Sequence, residues 1–216
     1  MKLIDIILPP ERKDFNENGI KFSLPNCSTV ALLITDDNKK VLFDSGAFGY
    51  ADKLVQNLKK LSLTPDDINY VILSHAHFDH NANLYLFKKA QLIYHKWLVG
   101  LKDGKTQKFS EEFDEIPQVN IQGIKIIKTP GHTEDSISII SKYQGKKYAV
   151  VGDALKISIL KNGIIDKSYS DPILYRDNIN RICDIADVII SGEDGIITGK
   201  NLLEVKNLLR NLQVEK

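Results

Sequence analysis

The feature that most constrains this chain of 216 residues is an apolar segment followed directly by a cluster of histidines. Residues 69–73 (NYVIL) are rich in β-branched and aromatic side chains, which predicts a buried strand. Because side chains repeat every second residue along an extended backbone, His75 and His77 are expected to point to the same side. Asp79 and His80 begin a stretch with helical spacing and are expected to point the other way.

Four side chains that can bind metal therefore lie within a short segment at the end of one strand. Imidazole and carboxylate groups are the usual ligands of zinc and iron. A strand end of this kind can hold two ions side by side. The sequence thus predicts a metal centre, in preference to a set of unrelated exposed or core histidines.

The segment 75–80 (HAHFDH) resembles the His-x-His-x-Asp-His signature of the metallo-β-lactamase superfamily. Three other segments are similar to motifs of that superfamily and occur in the same order: 41–46 (VLFDSG), 129–133 (TPGHT) and 151–154 (VGDA). The resemblance implies an α+β fold, the four-layer αββα sandwich of the metallo-β-lactamase type. Periodicity alone supports only mixed α and β structure.

The resemblance also implies roles for particular residues. It assigns six metal ligands: His75, His77 and His132 to a first ion, Asp79 and His80 to a second, and Asp153 as a bridge between the two. Asp44 ends an apolar strand, where it would accept the N–H of a ligand histidine, close a turn, or do both.

The chain departs from the superfamily at its last ligand. Superfamily members usually place a histidine in a Pro-Gly-His-Gly turn there, and the corresponding segment here is 190–195 (ISGEDG). No histidine follows His132. Glu193 is the expected replacement, because a carboxylate can take the place of an imidazole, and Asp194 is its equally acidic neighbour. The alternative is that Glu193 points into solvent and water completes the site.

Two further residues and one segment are open to more than one interpretation. Lys156 could meet an anionic substrate, although a solvated lysine is the expectation. His95 is expected to end a strand near the mouth of the site without binding metal. The charged segment 96–120 could form a cover over the site or be a plain surface excursion.

Composition limits the possible partners and surroundings. A net charge of +1 gives no electrostatic case for a nucleic acid. No stretch approaches the ~18 apolar residues of a membrane span, and the first apolar run is too short for a signal peptide. Cys27 and Cys183 are far apart in sequence, which fits buried free thiols in a reducing cytoplasm. Without a linker or repeat, one domain over residues 1–216 is expected.

These observations predict a metal-dependent hydrolase. Two divalent ions, with zinc expected first and iron or manganese as alternatives, would generate a bound hydroxide and polarise the carbonyl under attack. Asp79 would orient that water and take up its proton, as the catalytic residue. The stretch after Asp153 is too short for the extensions of nuclease members or the helical domain of glyoxalase II. The expected substrate is therefore a small thioester, lactone or other ester.

Two other functions fit the same residues. One is an iron-dependent redox enzyme of this fold, resembling persulfide dioxygenases, because a site rich in carboxylates suits iron. The other is a non-catalytic metal-binding scaffold, in which loss of the final histidine has abolished turnover.

Periodicity and turn residues predict the elements that surround the site. The main expected strands are 29–35, 40–43, 123–128, 136–141, 147–151 and 188–190, and the expected helices are 50–61, 81–89, 173–186 and 202–212. Gln144-Gly145 predicts a hairpin turn. Asn162-Gly163, between the apolar runs 157–160 and 164–165, predicts a second hairpin.

Overall fold

The computed structural model describes residues 1–11, 14–17, 20–23, 27–94, 100–102, 105–107, 119–165 and 168–214. The elements of the first half are β1 Leu3–Leu8, β2 Asp14–Glu17, β3 Ile20–Ser23, β4 Val30–Ile34, β5 Lys40–Phe43, α1 Ala51–Lys60, β6 Tyr70–Ile72, α2 Phe78–Asn81, β7 Gln91–Ile93, β8 Gly100–Lys102 and β9 Lys105–Gln107. Those of the second half are β10 Ile124–Lys128, β11 Ile137–Tyr143, β12 Lys146–Gly152, α3 Ile157–Asn162, β13 Ile164–Ile165, α4 Pro172–Ile185, β14 Val188–Ser191, β15 Gly195–Thr198, α5 Gly199–Leu209 and β16 Gln213–Val214.

Most of these strands form two mixed sheets of five strands each. The first sheet has the order β1-β4-β5-β6-β7, and the second has the order β10-β11-β12-β14-β15. The pairs β5–β6, β6–β7 and β12–β14 are parallel, and the other pairs within these two sheets are antiparallel. Each sheet therefore has strands whose carboxyl ends point to one edge.

The first sheet is covered on both faces because its side chains alternate. Leu32 belongs to a core cluster with Leu54 and Leu58, which lie one turn apart on α1. The next residue, Leu33, belongs to the cluster between the two sheets, together with Ile139 of β11. All four leucines are fully buried, and burial of such a side chain contributes about 1.5–3 kcal/mol to folding.

The second sheet is covered in the same way. Val150 joins the cluster between the sheets, whereas Val151 packs on the outer side with Ile182 of α4 and Val205 of α5. Helices thus cover the outer face of each sheet, and the inner faces pack against each other. This arrangement confirms the predicted four-layer αββα sandwich.

The last predicted helix, 202–212, is displaced by three residues in α5, and another predicted helix is largely absent. The segment 81–89 was expected to be helical, but α2 ends at Asn81 and only a single 3-10 turn, Leu84–Leu86, follows. The buried side chain of Asn83 donates to the backbone oxygens of Ser45 and Ala47, at 2.9 Å each. Those bonds tie the segment to the loop after β5, which a continuous helix would not allow.

The hairpin predicted at Asn162-Gly163 is also wrong. Residues Ile157–Asn162 form the helix α3, and Gly163 caps it with a φ of 76°. Ile164–Ile165 then pairs in parallel with Gln213–Val214. An Asn-Gly pair suits a left-handed backbone at glycine both in a hairpin turn and at a helix end, so the motif alone does not separate the two.

The hairpin predicted at Gln144-Gly145 is present. It joins β11 to β12, with Tyr143 opposite Lys146. Both turn residues have a positive φ, 48° and 77°, as a two-residue hairpin turn requires.

Two features bear on the expectations drawn from composition. Cys27 and Cys183 are buried and free, and burial raises the pKa of their thiols to about 11 and about 12 respectively. Such thiols stay protonated and unreactive.

Among the residues that the structure describes, no helix is long and apolar enough to cross a membrane.

We expect Asn83→Ala to lower the free energy of unfolding by about 1–3 kcal/mol, because the backbone oxygen of Ser45 loses its side-chain donor and that of Ala47 keeps only the N–H of Tyr50. The measurement is urea unfolding followed by circular dichroism. Asn207→Ala is the matched control, since Asn207 is exposed on α5. A change for Asn83→Ala no larger than that of the control would contradict the role given to this side chain.

Candidate metal centre

Most residues of the predicted site lie in loops that follow strands of the parallel pairs, whereas Asp79 and His80 lie in α2 and His132 follows the edge strand β10. Asp44 follows β5, His75 and His77 follow β6, Asp153 follows β12 and Glu193 follows β14. Since the carboxyl ends of neighbouring parallel strands lie at the same edge of a sheet, these loops meet along one edge of the sandwich.

A group of four donors converges there: His75, His77, His132 and Asp153, whose ligand atoms all lie within 4.8 Å of one another. Nδ1 of His77 is 2.9 Å from Nε2 of His75 and 3.1 Å from Nε2 of His132. Oδ2 of Asp153 is 3.3 Å from Nε2 of His132 and 3.8 Å from Nε2 of His75. Tetrahedral zinc ligands are about 3.3 Å apart when their bonds are about 2.0 Å long. The four donors therefore fit one metal ion.

A second, smaller group adjoins the first. Nε2 of His80 is 3.4 Å from Oδ2 of Asp79 and 3.2 Å from Oδ1 of Asp153. Within the described part of the chain, His80 Nε2 and Asp153 Oδ1 are buried and make no hydrogen bond. Unpaired buried polar atoms are costly, and a cation placed between them would satisfy both. The residues of this group thus also fit a cation.

The protonation of the histidines suits metal binding. Burial lowers the pKa of His75 well below its usual value and that of His132 to about 4. Both imidazoles are therefore neutral near pH 7, and a lone pair is available to a metal.

The carboxylates make the rest of the site attractive to a positive charge. Burial alone would lower the pKa of His80, but the charges of Asp153 and Asp44 raise it well above its usual value. Burial likewise opposes ionisation of Asp153, yet the charges of His80 and Lys156 hold its pKa well below the usual range. The position beside His80 thus favours a cation, either a proton or a metal ion.

Asp44 orients two of the histidines. Its Oδ2 is 2.8 Å from Nδ1 of His80 and accepts a hydrogen bond of 2.9 Å from the Ser74 hydroxyl. The same hydroxyl lies 2.9 Å from Nδ1 of His75. Both imidazoles therefore direct Nε2 towards the donor groups, as metal-binding histidines do when a hydrogen bond fixes the other nitrogen. Ser74 was not singled out from the sequence, because a serine before a histidine motif carries no specific signal.

Two glycines allow the loops to come this close. A Cβ on Gly152 would lie 2.4 Å from Cβ of Ser74, and the φ of Gly152 is 52°. A Cβ on Gly192 would lie 2.5 Å from Oδ1 of Asp153. Any larger residue at either position would push the ligand loops apart.

Lys156 is not the solvated lysine that was expected. Its side chain is 13% exposed, and its Nζ lies 2.7 Å from Oδ2 of Asp153 and 2.7 Å from Oε1 of Glu193. The pKa of Lys156 is raised, because the two carboxylates outweigh the effect of burial.

The salt bridge to Lys156 also determines where the carboxylate of Glu193 lies. The structure brings Glu193 to the site, as the sequence predicts, but binds its carboxylate to Lys156. The described residues place it outside the group of four donors. Its neighbour Asp194 accepts a hydrogen bond of 2.8 Å from the backbone N–H of Ile157 at the start of α3.

Asp135 and Tyr94 are further residues that the sequence did not indicate. Both are buried, and the Tyr94 hydroxyl donates to Oδ2 of Asp135. The backbone N–H of Ala76, between His75 and His77, also acts on the Asp135 carboxylate and partly offsets the rise in its pKa that burial causes. Asp135 thus links the loop of His132 to the loop of the first two histidines.

Some expectations lie outside the described residues. They concern His95 and much of the segment 96–120, including residues 96–99, 103–104 and 108–118.

Known proteins resemble this chain in sequence. The profile of the metallo-beta-lactamase superfamily matches residues 24–177. A protein of Methanocaldococcus jannaschii named as a metallo-hydrolase is 34% identical over 165 residues, which cover 76% of this chain and 75% of that protein.

Solved structures show the same fold. A Thermotoga maritima protein described as a metallo-beta-lactamase has a TM-score of 0.65 at 19% identity, over 91% of this chain and 98% of its own. A quorum-quenching N-acyl homoserine lactone lactonase has a TM-score of 0.59 at 22% identity, over 85% of this chain and 87% of its own.

The chain belongs to the metallo-β-lactamase superfamily. Membership of this superfamily supports a metal-dependent hydrolase as the general class.

We expect Asp153→Ala to lose most of the bound metal and Asp79→Ala to keep most of it. Asp153 offers an oxygen to both donor groups, whereas Asp79 belongs only to the smaller one. The measurement is elemental analysis after reconstitution with zinc, on variants whose circular dichroism shows a folded chain. Asp177→Ala, an exposed position on α4, is the control. Equal metal content in the two site variants would contradict the shared role of Asp153.

Proposed function

We propose that this protein is a metal-dependent hydrolase of a small thioester, lactone or other ester. The observation that carries the proposal is the convergence of three imidazoles and the Asp153 carboxylate at an open cleft. Three neutral nitrogen donors and one carboxylate suit zinc, with iron and manganese as alternatives.

The cleft has room for a small molecule. Its volume is about 400 Å³, and it is lined by apolar and polar side chains: Ala47, Phe48, His77, Phe78, Asp79, His132, Asp153, Lys156 and Glu193. Phe48 and Phe78 are 78% and 85% exposed, which is unusual for large apolar side chains. A substrate with an apolar group next to a polar, hydrolysable bond matches such a lining.

The chemistry divides between the metal and the protein. A bound divalent ion would supply the Lewis acidity for activating water and polarising a carbonyl. His75, His77, His132 and Asp153 would hold it, and Asp44 and Ser74 fix the orientation of His75.

Asp79 is the residue proposed to move a proton. It lines the cleft, its side chain is 25% exposed, and its Oδ2 lies 3.4 Å from Nε2 of His80. Burial opposes its ionisation, but His80 lowers the pKa of Asp79 below its usual value. Asp79 is therefore ionised near pH 7, where it can orient an attacking water and accept its proton.

Relatives support this substrate class. An N-acyl homoserine lactonase from a Bacillus species matches over 102 residues at 28% identity. A lactone is an internal ester, so its hydrolysis uses the same attack on a carbonyl. The proposed partner is accordingly a small molecule, and the proposed location is the cytoplasm.

A small panel of thioesters, lactones, phosphoesters and persulfides tests the function. We expect the zinc-loaded protein to hydrolyse at least one ester or thioester, and His77→Ala to lower kcat/KM by at least about 10³-fold, because one metal ligand is lost. Treatment with a chelator should remove the activity, and added zinc should restore it. Rates and metal content are measured on the same samples.

The controls separate this function from its alternatives. Asp177→Asn alters an exposed acid and should keep full activity, whereas Asp79→Asn should keep the metal and lose turnover. Oxygen-dependent oxidation of a persulfide by an iron-loaded sample, without ester hydrolysis, would replace the proposal with the redox function. Bound metal without turnover of any ester would leave a metal-binding scaffold.

A further inference from the structure

Lys156 holds a position inside the metal centre. Its side chain is 13% exposed and lines the cleft together with His132 and Asp153. The backbone N–H of Lys156 donates to the hydroxyl of the fully buried Tyr175, at 3.1 Å. The residue begins α3 as its N-cap, so its backbone is fixed by the helix as well as by Tyr175.

The ammonium group of Lys156 shares a carboxylate oxygen with the four-donor group. Oδ2 of Asp153 lies 2.7 Å from Nζ of Lys156 and 3.3 Å from Nε2 of His132. The other oxygen, Oδ1, faces His80 at 3.2 Å. One carboxylate thus contacts the ammonium, the four-donor group and the smaller group at once.

Glu193 completes this arrangement. It lies in the turn where related proteins usually place the last metal-binding histidine, and its Oε1 accepts a hydrogen bond of 2.7 Å from Lys156. The Lys156 ammonium donates a hydrogen bond to Glu193 and forms an ion pair with Asp153, and both carboxylates could otherwise bind a metal. The salt bridge therefore occupies Glu193, the residue that the sequence predicts in place of the missing histidine ligand.

Lys156 offsets part of the negative charge near the cleft. Asp153 and Glu193 carry two negative charges, and Lys156 returns one positive charge at 2.7 Å from each. A divalent ion held by Asp79, His80 and Asp153 would share the Asp153 carboxylate with this ammonium, as an ion in the four-donor group would. The smaller group has fewer donors to offset the resulting repulsion, because Lys156 holds the Glu193 carboxylate that could otherwise complete it.

We propose that Lys156 is a built-in cation that takes the place of a second metal ion, so that the chain holds one tightly bound ion in the four-donor group. The proposal rests on the metal site of the proposed function. In this arrangement Glu193 holds the Lys156 side chain in place by the salt bridge. The smaller donor group then binds a metal only weakly.

Zinc binding to the full-length chain tests this proposal. The metal-free protein is titrated with Zn²⁺ and followed by calorimetry, and the bound metal is counted by elemental analysis after dialysis. We expect one tight ion per wild-type chain, with any second ion bound at least about tenfold more weakly. Lys156→Met should hold two tight ions, because both carboxylates are released from the ammonium.

Further variants identify the ligands and control for charge. Lys156→Arg keeps the positive charge and should hold one ion. Lys161→Met removes an exposed lysine from α3 and should also hold one ion. The double variant Lys156→Met/Glu193→Ala should return to one tight ion, because the second site of Lys156→Met then lacks the Glu193 carboxylate.

Two ions of comparable affinity in the wild type would overturn the proposal. So would a single tight ion in a Lys156→Met variant whose circular dichroism and thermal unfolding match the wild type. A wild-type chain that binds no zinc would overturn this proposal and the proposed function together. One tight ion with no hydrolysis of any ester would overturn the proposed function and leave the role of Lys156 supported.

Discussion

The buried carboxylate of Asp44 is the constraint on which the metal loop depends. Asp44 is fully buried and has a φ of 65°, a left-handed backbone conformation that is uncommon outside glycine. It accepts hydrogen bonds from the backbone and hydroxyl of Ser74 and faces His80. A buried carboxyl group of this kind is tolerated only while it keeps such partners. The end of β5 therefore fixes both the loop after β6 and the start of α2.

The sequence predicts those parts of the fold that local pattern determines. β5 has the predicted bounds, 40–43, because a short apolar run leads directly into the motif of Asp44. His132 and Asp153 lie beside His75 as their motifs imply, since each follows a strand that ends at the same edge. The Asn162-Gly163 pair shows the limit of local pattern. Its left-handed glycine suits two different structures, and packing of α3 decides between them.

The remaining errors concern contacts between residues that are far apart in sequence. Lys156 and Glu193 are 37 positions apart, and nothing near either residue indicates that they form a salt bridge. The tie between Tyr94 and Asp135 spans 41 positions and is equally invisible to a search for motifs. Motifs identify which side chains can bind metal, whereas the charge around those side chains depends on how the sandwich closes.

The division of the ligands between the two sheets has a consequence for the whole molecule. His75 and His77 follow a strand of the first sheet, and Asp153 follows a strand of the second. An ion held by all three would act as a cross-link between the two halves of the chain. By mass action, a ligand that binds only the folded chain raises the free energy of unfolding by about 2.7 kcal/mol when its free concentration is a hundred times its Kd. The supply of metal would then govern how long the folded protein persists, as well as how fast it works.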